Sequence, residues 1–203
     1  MFYKTIILIN FLMLPITGAF LPVHRAPEPK KWVVSENSTL CVNGTTNVNK
    51  FACEILTYDH QDTLTIIKGK NDKDVTLSGS VGLRVQSFDC HNSIMTHDLR
   101  KTMKEKEFPV LRISFLSLSK IPELNTQPEA ITGMVDIEIA GTKKRFAVKY
   151  QIYADAQKVV HLLGSRDINF TDFHLVPPRK LGGIIQTKDK LSVDFHLKMK
   201  TLE

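Results

Sequence analysis

Residues 191–199 read Leu-Ser-Val-Asp-Phe-His-Leu-Lys-Met, apolar at every odd position and polar at every even one. Successive side chains of an extended chain point to opposite sides, so this period of two puts Leu191, Val193, Phe195, Leu197 and Met199 on one buried face. A helix would scatter the same residues around its axis. The pattern recurs: Val135, Ile137 and Ile139 alternate with Asp136 and Glu138, Phe146, Val148, Tyr150 and Ile152 share a face, and so do Val81, Leu83 and Val85. Extended segments are expected at 32–42, 51–58, 62–68, 74–89, 110–119, 131–140, 143–153, 159–170 and 191–199, with Asn43-Gly44, Gly69, Asn71 and Asp72 as turn signals. Many half-buried strands make an antiparallel all-β design. Eight or so with short connections close best as an up-and-down barrel, because closure removes exposed edges; a two-sheet sandwich is the alternative.

One stretch breaks the alternation. Met95, Leu99 and Met103 recur every fourth residue, which lines them up on one face of a helix. Thr96 is expected as its N-cap, and Pro109 forbids it from passing Phe108. A single short helix between two long extended segments is expected to lie as a lid over one end of the barrel, its flexible methionines adapting to an apolar guest.

The amino terminus reads as a cleaved secretory signal over residues 1–19: Lys4, an apolar run at 5–14, Pro15, then Thr17 and Ala19 as small residues before the cut. The run is shorter than the roughly 20 residues a membrane span needs. Residues 20–30 are a Pro-rich connection, and 31–203 suffice for one domain with a sizeable core. The formal charge of +6 is spread along a chain with one Trp and four Tyr. Nucleic-acid binding would need a basic face interleaved with stacking aromatics, so the surplus is read as solubility or transient attraction to an anionic membrane surface.

A secreted chain with Cys41, Cys53 and Cys90 is expected to form one disulfide and leave one thiol. Cys53 and Cys90 each end an extended segment and are the favoured pair, with Cys41 to Cys53 the competitor. His91 and His97 do not share a helix face, so no metal site is expected, and no cofactor. No catalytic residues are expected either. Ser165 lacks the glycine frame of a nucleophile elbow, the pairs Asp172/His174 and Asp194/His196 read as solvated outer faces, and Gly182-Gly183 is a turn or bulge.

GTTNVNKFACE, the helix MTHDLRKTM, FPVLRISF, NFTDFHLVPP, GGII and VDFHLKMK, in that order, resemble the YceI-like family, in particular its secreted, cysteine-bearing branch, over residues 31 to about 201. The resemblance implies an extended, lipocalin-like, eight-stranded antiparallel barrel. It also implies a periplasmic or secreted, non-enzymatic protein that holds a polyisoprenoid or other long-chain amphiphilic lipid in an apolar tunnel. The family carries a glycine after its late Asp-Phe motif, where this chain has His174. The expected lipid-contacting residues rest on alternation instead: Leu83, Val85, Ile113, Phe115, Val135, Ile137, Phe146, Val148, Val193 and Phe195 on the wall, with Met95, Leu99 and Met103 on the lid. The alternative is a filled barrel acting through its outer surface as an envelope interaction or stress-related module.

Overall fold

The computed structural model describes residues 28–69 and 75–202; the expected signal peptide and most of the connection after it lie outside these residues. Eleven strands follow in chain order: β1 (Lys30–Val34), β2 (Thr39–Thr46), β3 (Lys50–Ile55), β4 (Thr63–Lys68), β5 (Val75–Arg84), β6 (Val110–Leu118), β7 (Glu129–Ile139), β8 (Thr142–Ala154), β9 (Val160–Asn169), β10 (Arg179–Lys180) and β11 (Ile185–Leu202), with helix α1 (Ser93–Thr102) between β5 and β6. Eight of them form a closed antiparallel barrel in the order β1, β4, β5, β6, β7, β8, β9, β11 and back to β1. The length of β11 makes this possible. Its last residues, Met199 to Leu202, pair with β1, while Thr187 to His196 pair with β2 on the same edge and β9 takes the other edge.

The segment expected at 32–42 is therefore two strands. A turn breaks it, with the Ser38 N–H on the Ser35 carbonyl at 3.1 Å, and β1 and β2 then occupy successive stretches of β11. Asn43-Gly44 is not a turn either; it lies inside β2, and the chain reverses at residues 47–49, where the Thr46 hydroxyl accepts the Asn49 N–H at 2.9 Å. Gly44 is needed for packing. The Phe51 ring of the paired strand lies flat across it, and a Cβ there would sit 2.2 Å from the ring. Gly164 is covered in the same way by Phe195. The stretch expected at 74–89 leaves the sheet at Arg84 and passes through a 3-10 turn, Val85–Ser87.

Helix α1 starts earlier than expected and ends at Thr102. Its N-cap is Asn92, whose side chain accepts the N–H groups of Ile94 and Met95 at 3.1 and 3.0 Å. Thr96 is instead buried, its hydroxyl accepting the Cys90 N–H at 3.0 Å. The Val85 N–H donates to the Pro109 carbonyl at 2.9 Å, so the helical excursion leaves and rejoins the wall at one point and folds over that end of the barrel. Arg100 fastens it there by donating to the carbonyls of Gln86 and Phe88.

Cys53 and Cys90 are disulfide-bonded. The competing pair is impossible on this sheet: Val42 faces Cys53 and Cys41 faces Glu54, so Cys41 and Cys53 project to opposite sides. The bond lies beside the bridge in which Glu54 and Asp89 exchange backbone hydrogen bonds at 2.7 and 2.9 Å, joining β3 to the chain leaving β5. Between β11 and β5 the wall is thus completed at one end by β1 and β4 and at the helix end by β2 and β3, the latter locked by the disulfide.

His174 follows the 3-10 turn Phe170–Phe173 with φ 55° and ψ 31°, the left-handed region. That conformation costs a residue with a Cβ about 1 kcal/mol or more and costs glycine little. The position thus suits the glycine of the resembled family. His174→Gly is expected to raise the unfolding free energy by up to about 1 kcal/mol, offset in part by the freer unfolded chain, which urea denaturation would measure; a loss of stability would show that the imidazole makes a compensating contact.

Candidate ligand-binding interior

Three apolar cavities lie in series along the barrel. The central one, about 40 Å³, is bordered by Leu83, Ile113, Phe115, Val135, Ile137, Val148, Val193 and Phe195. The second, about 60 Å³, shares Leu40, Ile113, Ile137 and Val193 with it and is roofed by Leu99 and Met103 of the lid. The third, about 270 Å³, shares Leu99 and Phe170 with the second and opens at the surface between α1, β3 and the start of β11, with Met95, Phe51 and Leu181 on its walls. The stripe expected on the helix is divided between two chambers: Met95 faces the open mouth, Met103 the interior, and Leu99 the wall between them.

Two expected wall residues stand apart. Val85 and Phe146 are buried in the same core but border none of these cavities; Val85 sits in the 3-10 turn after β5, and Phe146 packs against Phe173 at 6.1 Å between ring centroids. Alternation also missed some lining residues. Leu40 lay in the segment that proved to be two strands, and Phe170 and Phe173 occupy a 3-10 turn where period two carries no information. Arg166 was legible in principle, because it keeps the even phase of Val160, Leu162 and Ile168 and pairs with Val193.

Among the described residues, the ionisable side chains bordering the two inner chambers are Tyr58 and Arg166, and both are engaged by the protein itself. Tyr58 borders the central cavity, but its hydroxyl donates to the Asp62 carboxylate, which also accepts the Gly82 N–H at 3.0 Å. Burial and that carboxylate push the phenol well above the ordinary tyrosine range, so it stays neutral. Arg166 lends the cavity its side chain while the guanidinium reaches the Ala147 carbonyl at 3.3 Å and lies 5.3 Å over the Phe146 ring. It sits where the β8 to β9 ladder stops at Lys149 and Ser165 although both strands run on.

The outer faces carry little chemistry. Asp194 accepts a hydrogen bond from Asn43 at 2.9 Å. His196 is less exposed than its strand position implies: its ring nitrogen is 2.7 Å from that of His161, which stacks on Tyr153 and meets Asp155 at 3.1 Å. Burial, then the neighbouring His161, lowers the His196 pKa, favouring its neutral form. Burial, then Glu54, raises the Cys41 thiol, favouring its protonated form. Among the described residues, no helix is long and apolar enough to cross a membrane, and no group of three or more His, Cys, Asp or Glu is placed to hold a metal ion.

A closed antiparallel barrel with an apolar interior and a helix over one end is a lipocalin-like architecture. This fold is shared with a polyisoprenoid-binding domain from Saccharophagus degradans implicated in plant cell wall breakdown: TM-score 0.61, 9% identity, over 84% of this chain and 98% of that one. BcnA of Burkholderia cenocepacia is similar in the same way, with TM-score 0.59 and 14% identity over 79% and 95% of the two chains. A Campylobacter jejuni YceI protein aligns over 69% of this chain and 80% of its own, at 14% identity and TM-score 0.47. The chain has the fold of the Saccharophagus degradans and Burkholderia cenocepacia proteins. No protein-family model and no curated protein matches the sequence.

Proposed function

We propose that this chain is a non-catalytic carrier or storage protein that holds the tail of a polyisoprenoid or other long-chain amphiphile inside the barrel, in the periplasm or outside the cell. The observation that carries the reading is the series of three apolar cavities with shared walls, running from the barrel centre under the lid to an open mouth. The shared fold with a polyisoprenoid-binding domain supports the ligand class, and the disulfide suits an oxidising compartment. Binding works by desolvation. Each methylene taken from water contributes about 0.8 kcal/mol, so a long tail needs no polar handle. The inner chambers are narrower than the roughly 300–1,000 Å³ of ordinary ligand pockets, so entry parts the walls at Ile113, Ile137 and Val193 and shifts the flexible Met103.

That same narrowness, 40 and 60 Å³ in the two inner chambers, favours a second reading in which the barrel is filled and acts through its surface. Native mass spectrometry of the protein from its host, before and after organic extraction, decides between them. A carrier is expected to show one extractable polyprenyl or acyl species per chain, or to take up added octaprenol. A bare mass with no uptake would establish the filled barrel.

A further inference from the structure

The mouth of the open apolar cavity is ringed by exposed apolar side chains. Leu181 is 70% exposed, Ile184 72%, Ile94 63% and Val48 64%. They come from separate parts of the chain yet gather at one place. Ile94 and Leu181 line the mouth itself. The turn carrying Val48 is tied to that of Ile184, because Asn47 donates to the Ile184 carbonyl at 2.8 Å and accepts the Gln186 N–H at 3.0 Å. Residues 181–184 stand clear of the barrel: a Cβ at Gly182 or Gly183 would meet nothing within 4 Å, so packing does not explain the projection.

The charge around this rim is predominantly positive, with Asp98 and Asp189 the acidic residues beside it. Residues 174–188 contain Arg179, Lys180 and Lys188 and neither Asp nor Glu. Lys180 is paired with Asp98 on α1, while Arg179, Lys188 and Lys50 are exposed and lie within four residues of an apolar tip along the chain. Large apolar side chains projecting past a belt of cations fit the interface of an anionic bilayer, where the tips enter the acyl boundary and the cations meet the headgroups.

We infer that the rim formed by Val48, Ile94, Leu181 and Ile184 docks the barrel mouth onto an anionic lipid bilayer. In that pose the cavity opens onto the acyl layer, and a tail passes from bilayer to barrel without crossing water. The purpose of docking rests on the carrier reading proposed above; its measurement does not.

Co-sedimentation is made with vesicles of phosphatidylcholine containing phosphatidylglycerol at roughly one lipid in three, and with pure phosphatidylcholine. The protein is expected to favour the anionic vesicles, losing about fivefold in partitioning for each cation removed in Arg179→Gln and Lys188→Gln, and less at high salt. Leu181→Ser with Ile184→Ser is expected to weaken partitioning at least about tenfold, while Leu56→Ser, exposed just beyond the far end of β3, leaves it unchanged. Loading of octaprenol from a cyclodextrin complex is measured on Arg179→Gln, Lys188→Gln and Ile184→Ser, none of which lines the cavities. Loss of vesicle binding with loading intact supports docking. Patch-dependent vesicle binding without any loading supports docking and removes the carrier reading. Equal partitioning of the native protein and the Leu181/Ile184 variant, or a native protein that forms a dimer through this patch and binds no vesicles, overturns the inference.

Discussion

Replacing Cys53 and Cys90 together by alanine is expected to lower the unfolding free energy by about 4 kcal/mol, the chain-entropy value for the loop of about 38 residues that the bond closes. For a chain of this length that corresponds to a fall in Tm of roughly 10 °C. Alanine is the informative substitution. Both sulfurs lie in the buried core, where serine would add the separate cost of an unsatisfied hydroxyl. The position of the bond makes the effect more than an entropy correction. At the helix end the seam between β3 and the chain leaving β5 is closed by the single Glu54 to Asp89 bridge, and the excursion that builds the lid starts directly after Cys90. Without the disulfide the seam and lid are expected to open as a local unit, so the Glu54 and Asp89 amides lose hydrogen-exchange protection while β7 and β8 keep theirs. Urea denaturation and hydrogen exchange on the same variant test both parts. A loss under about 1 kcal/mol with those amides still protected would mean that packing of the β2 to β3 hairpin holds the seam unaided.

How much of this was legible in the sequence follows from the period of the signal. Where strands are half-buried and regular, as in β7, β8 and β11, alternation identified the inner face residue by residue, and Val135, Ile137, Val148, Val193 and Phe195 all border the central cavity. The readings that failed depended on tertiary partners. Asn43-Gly44 has the composition of a hairpin turn, but the glycine is there to accept the Phe51 ring from the neighbouring strand, a demand that arises only after pairing. Asn92 outcompetes Thr96 as the N-cap because Thr96 is taken up by the Cys90 N–H beneath the helix. The break at Ser35 to Ser38 exists because β11 is long enough to hold two partners on one edge, and nothing local to residues 32–42 reports that length. The apolar rim escaped for the opposite reason: Val48, Leu181 and Ile184 are isolated in turns, where single hydrophobic residues carry no periodic signal, and only folding gathers them at one mouth.

A tryptophan at Val193 is expected to separate passage along the barrel from binding at its mouth. Val193 is half-buried and lies on the wall common to the central and helix-side chambers, paired with Val42 on one side and Arg166 on the other. An indole there fills the junction and stays apolar, so the variant keeps the barrel at an overpacking cost of about 1–3 kcal/mol. Geraniol, short enough to lodge between mouth and lid, is expected to bind within about threefold of the native protein. Octaprenol must extend past the junction, and every methylene held back forfeits about 0.8 kcal/mol, so the exclusion of only two lowers its affinity by more than tenfold. Titration of both prenols against native protein and Val193→Trp reads the contrast directly. If both ligands weaken alike, the substitution has loosened the fold; if octaprenol is unaffected, its tail lies elsewhere and the chambers are packing voids of a filled barrel. A long-tail loss with the short ligand retained identifies the shared wall at Val193 as the gate between the lid and the barrel centre.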